Sequence, residues 1–80
     1  MYYVYVLKSI SHPEKSYVGY TISIENRLAE HNDGKSMYAS RYKPWKLHAY
    51  VAVPEKLQAI AFEKFLKTGS GKVFIKKFLS

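Results

Sequence analysis

Tyr2-Tyr3-Val4-Tyr5-Val6-Leu7-Lys8, followed after a turn by Ser16-Tyr17-Val18-Gly19-Tyr20, is the stretch that decides the fold. Both runs are crowded with Val and Tyr, whose branched and aromatic side chains suit a pleated, half-buried surface. Between them, Ser9-Ile10-Ser11-His12-Pro13-Glu14 supplies turn chemistry, with proline and serine as punctuation. The two runs predict an antiparallel hairpin. With the turn centred near Ser11, Tyr5 is expected opposite Tyr17 on one face, because strand side chains alternate with period two. Val4, Val6 and Val18 then share the other face, the natural core side.

Outward from the hairpin, Ser23 is placed to cap a helix beginning at Ile24, with Glu25 favourably in the first turn. That helix is expected to end near Asn32-Asp33-Gly34, where glycine permits a left-handed stop. Residues 35–41 are polar and show no clear period. Residues 44–53 read as a third strand whose direction the sequence does not dictate. Pro54 and Glu55 are expected to open a longer helix reaching about Thr68, with proline at its first position. Gly69 would end it, and Ser70 would cap a short last helix over Gly71–Phe78. The order β-β-α-β-α-α predicts an α/β fold, a small three-stranded, largely antiparallel sheet flanked by helices, as one domain over residues 1–80.

Composition narrows the function. The apolar fraction of 48% and aromatic fraction of 16% supply one core and exclude a disordered chain. Without cysteine there is neither a disulfide framework nor a cysteine-based zinc site, and His12, His31 and His48 lack finger-like spacing. No basic segment followed by an apolar run opens the sequence, and no apolar run approaches the roughly 18 residues of a membrane span. A cytoplasmic protein, probing no membrane, is expected. Thirteen Lys and Arg against six Asp and Glu give a net charge of +7. Such an excess attracts polyanions, with salt-sensitive affinity from counterion release.

Several residues carry candidate chemistry. On the first helix Ile24, Arg27, Leu28 and His31 fall on one arc, so Arg27 and His31 flank the stripe that packs on the sheet. Arg27 is then either a snorkelling or ion-paired residue, with Glu30 or Asp33 as partner, or a cation held at a site. On the long helix, Glu63 stands among Lys56, Lys64 and Lys67. It reads as an exposed i,i+4 pair with Lys67 or as a metal-binding carboxylate in a phosphate-facing field. Lys35, Arg41, Lys43 and Lys46 surround Tyr38, Tyr42 and Trp45, a pattern that fits either phosphate contacts with base stacking or ordinary rim packing. Gly69-Ser70-Gly71-Lys72 lacks the spacing and the preceding strand of a phosphate-binding loop.

Tyr3-Val4-Tyr5, residues 6–16, and then Tyr17-Val18-Gly19 resemble the double signature of the GIY-YIG nuclease family. Arg27, His31 four residues later, and Glu63 in a later helix extend the resemblance over nearly the whole chain, and the short form is similar to the family's small stand-alone bacterial members. The resemblance implies an endonuclease hydrolysing phosphodiester bonds, with DNA a better substrate candidate than RNA. It implies that Glu63 holds a divalent ion, magnesium or manganese, that Arg27 binds the same phosphate, and that Tyr5 or Tyr17 takes a proton from the attacking water. His31 assists proton transfer or braces the site. A phenol of reference pKa near 10 is a weak base at neutral pH, and lowering it by two units takes about 2.7 kcal/mol. Gly19, Lys35, Arg41, Lys43, Lys67 and Lys72 are the expected nucleic-acid contacts. The sequence departs from the family pattern at Tyr3, where the family name has glycine, at Tyr20, where some members place lysine, and in having no asparagine after Asn32. The alternatives are a weakly cutting or inactive nucleic-acid-binding module, or a nuclease, monomeric by itself, that relies on a protein partner to present its substrate.

Overall fold

The computed structural model describes residues 1–34 and 36–79. Strands β1 (Tyr2–Ser9), β2 (Ser16–Thr21) and β3 (Trp45–Val53) form one sheet in the order β2-β1-β3, antiparallel throughout. Helix α1 (Ile24–Asn32) follows β2, α2 (Met37–Tyr42) precedes β3, and α3 (Lys56–Leu66) and α4 (Gly69–Phe78) close the chain. The expected sheet and helices are present, with α2 added where the sequence showed no period. No helix among the described residues is long and apolar enough to cross a membrane.

The hairpin register differs from the expectation by two residues. Tyr5 lies opposite Gly19, and Tyr17 lies opposite Leu7. The turn centres on His12 rather than Ser11: the His12 amide donates to Ser9 Oγ, and the Lys15 amide donates to the His12 carbonyl. Moving a hairpin's centre by one residue moves each pairing by two, which keeps Tyr5 and Tyr17 on a common face but staggers them.

Because β1 is the central strand, both its faces are buried. Val4 and Val6 join Val18, Ala59 and Leu66 under α3 and α4, while Tyr5 and Leu7 join Trp45 on the side of α1 and α2. Burying a large apolar side chain contributes roughly 1.5–3 kcal/mol, so the middle strand ties both layers together. Gly71 lets α4 approach closely, since a Cβ there would overlap the backbone of Phe65 and Leu66.

Caps set the helix ends. Ser23 Oγ accepts from the Asn26 amide at the start of α1, and Gly34 follows its end at φ 69°. Glu55, not a proline, caps α3, and its amide donates to Gln58 Oε1 in a capping box; Pro54 stands outside the helix. The chain then needs only Lys67 and Thr68 before α4. Thr68, rather than Ser70, caps that helix by accepting from the Gly71 amide, so Gly69 begins α4 instead of ending α3. The start of β3 is fixed by Asn32, whose side-chain amide both donates to the Trp45 carbonyl and accepts from the Trp45 amide. A register shift between Val6 and Leu7 leaves His48 as the extra residue of a β-bulge between Leu47 and Ala49.

Candidate active site

Strand alternation sends Tyr5, Tyr17 and Gly19 to the α1 side of the sheet and Tyr2 and Tyr20 to the α3 side. At an edge strand these two sides meet, and β2 is an edge. A shallow cavity of about 390 Å³ straddles that edge, lined by Tyr5, Tyr17, Gly19 and Arg27 from one side and by Tyr2, Tyr20, Lys56 and Glu63 from the other. Tyr5, Tyr17, Arg27 and Glu63, separated by as many as 58 positions (63−5), thus surround one space.

Gly19 has a specific task at this edge. A Cβ at residue 19 would lie 2.6 Å from the Tyr5 hydroxyl and 2.9 Å from Tyr5 Cζ. The close approach is by the ring of the cross-strand tyrosine, not by neighbouring backbone, and only glycine leaves room for it. Tyr5 stacks beside Tyr17 with ring centroids 6.3 Å apart and an interplanar angle of 19°. The two differ in exposure. Tyr5 is 1% exposed, whereas Tyr17 is half-buried and also lines two neighbouring depressions. Burial, reinforced by Tyr17, pushes the Tyr5 phenol up to about 12 against the lowering influence of Arg27. Two units correspond to roughly 3 kcal/mol against ionisation.

His31 supports both rings. Its Nε2 lies 3.4 Å from the Tyr5 hydroxyl, and its ring centroid lies 4.4 Å from that of Tyr17. Burial first, and Arg27 second, lower its pKa, so the imidazole is neutral at pH 7 and can accept from Tyr5. Arg27 is part-exposed and its Nε donates to Glu30 Oε1 at 3.0 Å, so it forms the expected ion pair while still lining the cavity. A pair this open contributes at most about 1 kcal/mol and yields readily to a better anion. Glu63 is more enclosed, with 18% side-chain exposure, and Lys67 Nζ donates to its Oε1 at 3.5 Å.

The described residues contain no group of three or more His, Cys, Asp or Glu that would cage a metal. One half-buried carboxylate facing an open cavity fits a different kind of site. Magnesium commonly takes one or two protein carboxylates and completes its shell with water and substrate phosphate.

The outer basic residues divide. Lys67 and Lys72 line an adjoining groove of about 430 Å³ that shares Tyr17 with the cavity. Arg41 stands beside a separate depression on α2, and Lys43 is exposed at the end of that helix. Lys35 lies outside the described residues. Trp45 is 2% exposed, and its Nε1 donates to the Ala39 carbonyl at 3.0 Å, so it is core and no stacking platform. Tyr42 packs against the same cluster. Tyr2 and Tyr20 line the cavity without having been singled out as site residues, whereas Lys56 had already been placed beside Glu63 on the polar stripe of its helix. For Lys56 the signal was present: it precedes Glu63 by seven residues, nearly two full helical turns.

The family model of the GIY-YIG catalytic domain matches residues 1–77. Relatives include the structure-specific endonuclease subunit SLX1 of Candida dubliniensis, 38% identical over 73 residues, covering 82% of this chain and 26% of that protein. A UPF0213 protein of Bacillus licheniformis is 42% identical over 57 residues, covering 70% of this chain and 59% of that one. The chain thus spans less than two thirds of these relatives, and only 15% of the SLX1 subunit of Malassezia globosa. Among solved structures, the solution structure of a UPF0213 protein from Bacillus halodurans superposes with a TM-score of 0.55 at 30% identity, covering 95% of this chain and 83% of that one.

Proposed function

The chain belongs to the GIY-YIG nuclease family, and from that premise we propose that it is a divalent-metal-dependent endonuclease acting on DNA at the β2-edge cavity. One observation carries the reading: Tyr5, Tyr17, Arg27 and Glu63 line the same open space from opposite sides of the sheet. Two of the relatives bear the name of a structure-specific endonuclease subunit, which points the same way.

In this scheme Glu63 is the protein's ligand to a magnesium or manganese ion, which when bound supplies Lewis-acid stabilisation of phosphate charge. Arg27 exchanges Glu30 for the scissile phosphate and offsets charge developing in the transition state. Tyr17, the tyrosine with access to solvent, acts as the base in its ionised form: its own phenolic proton passes first to bulk water, it then takes the proton of the attacking water, and the leaving oxygen is protonated from solvent. Tyr5 is a poor base with its pKa near 12. It keeps its proton, donates to neutral His31, and holds the Tyr17 ring in place by stacking. The Lys67–Glu63 pair, at 3.5 Å and with Lys67 exposed, is weak enough to leave the Glu63 carboxylate available to hold a divalent ion.

Cleavage of a labelled DNA fragment with Mg²⁺ or Mn²⁺, beside Glu63→Ala and Arg27→Ala, tests this. Wild-type cutting that depends on the ion and is abolished in both variants supports it. A wild type that binds DNA normally yet nicks nothing with any divalent ion assigns the chain to the binding modules instead.

A further inference from the structure

Part of the cavity has no role in the chemistry above. That part is lined by Tyr2, Tyr20, Ile22 and Lys56. Lys56 is the first residue of α3. Seven residues span 700°, so Lys56 and Glu63 project from nearly the same side of the helix, about 10 Å apart along its axis.

Two features set Lys56 apart from the other cations at the cavity. Arg27 is held by Glu30 and Lys67 by Glu63, whereas among the described residues Lys56 makes no ion pair. Its position also runs against helix preference, since the first turn disfavours cations. A local preference broken at a cavity wall, with no compensating partner among the described residues, is expected where a ligand supplies the compensation.

We propose that Lys56, with the rings of Tyr2 and Tyr20, forms a subsite for the nucleotide adjoining the cleaved linkage. Lys56 binds the neighbouring phosphate, and the rings contact sugar and base. The inference rests on the nuclease reading given above. Both tyrosines pack on the aliphatic core beneath α3, so that wall is firmly placed. Ring contacts tolerate any base, and a lysine is a point charge, so the subsite adds affinity without sequence preference.

The test is binding of a fluorescent DNA duplex without divalent ions, where no cutting occurs, across a series of salt concentrations. Each phosphate neutralised contributes about 0.9 to the slope of log K against log salt. Lys56→Gln is expected to lower that slope by about one, Lys56→Arg to retain it, and Lys77→Gln, on the far part of α4, to leave it unchanged. With Mg²⁺ present, Lys56→Gln is expected to raise KM several-fold with kcat nearly constant. An unchanged slope in Lys56→Gln, with wild-type cutting intact, overturns the subsite and leaves the nuclease reading standing. Absence of any salt-dependent binding by the wild type overturns both.

Discussion

The two faces of one small sheet are filled in opposite ways. Beneath α3 and α4 the packing is aliphatic and phenylalanine-rich, with Val4, Val6, Val18, Ala59 and Leu66 buried and Phe62 and Phe74 in edge contact at 5.9 Å. Beneath α1 and α2 it is made of Tyr5, Tyr17, Trp45 and His31, whose rings lie 4.4 to 6.3 Å apart and carry polar atoms. The buried cluster of the first face, Val4, Val6, Val18, Ala59 and Leu66, contains no titratable side chain and serves to hold the fold. The second retains donors and acceptors inside a packed layer, and its polar atoms lead to the β2 edge. The lesson is that the candidate site belongs to neither face. It arises where an edge strand lets a carboxylate anchored in the apolar layer meet phenols anchored in the polar one.

If that division is right, substitutions on the two faces should fail differently. The largest contrast is between Leu66→Ala and Tyr17→Phe. Leu66 is 1% exposed, so its truncation should cost about 2–5 kcal/mol in denaturant unfolding while spared molecules keep their cutting rate. Tyr17→Phe should lower kcat roughly 10²- to 10³-fold, the scale of general-base catalysis or slightly below, with under about 1 kcal/mol lost in stability. Equal behaviour of the two variants would erase the distinction between the faces. Gly19→Ala should lie between them. The added methyl displaces the buried Tyr5 ring, costing about 1–3 kcal/mol in thermal or chemical unfolding and slowing cleavage as well. A variant as stable as wild type would show that Tyr5 is free to move.

The smallest effect is in pH. The folded pKa of His31 is lowered, chiefly by burial, and that of His48 is lowered by burial with Lys8 and Lys46. The unfolded chain therefore binds more protons than the folded one as pH falls below about 6.5, the ordinary histidine value. Stability from these groups is present above that pH and is lost as pH drops through the folded values. Each contributes a slope of at most about 1.4 kcal/mol per pH unit. Melting temperature should fall from pH 7 to pH 5, and less steeply in His31→Phe. An unaltered pH profile in that variant would remove His31 from the account.

The legible parts of the sequence were those fixed by local rules. The hairpin followed from period-two Val and Tyr, α1 from its Ser23 cap and Gly34 stop, and β3 from its residue types. The parts that were not legible depend on distant contacts. Helix α2 is six residues long with only Ala39 buried, and its place is set by the Trp45 indole reaching the Ala39 carbonyl. The stagger of Tyr5 and Tyr17 depends on side-chain bonds inside the turn, which strand alternation does not encode. For the candidate site, the resemblance to the GIY-YIG signature pointed to Tyr5, Tyr17, Arg27 and Glu63, where residue types alone left Arg27 and Glu63 open. What neither conveyed was the unequal burial of the tyrosines, because burial of Tyr5 follows from Gly19 opposite it and Trp45 beside it. Lys56 was legible as a neighbour of Glu63, whereas its place at the cavity wall beside Tyr2 and Tyr20 depends on the fold.

A double-mutant comparison of single-turnover cleavage, using Tyr17→Phe, Glu63→Gln and the two combined, tests most directly whether groups from the two faces act on one phosphate. Residues working as a unit are non-additive, so the double variant should be no slower than the slower single variant. Losses that multiply, or full activity in either single variant, would mean that the phenol and the carboxylate do not share a reaction centre.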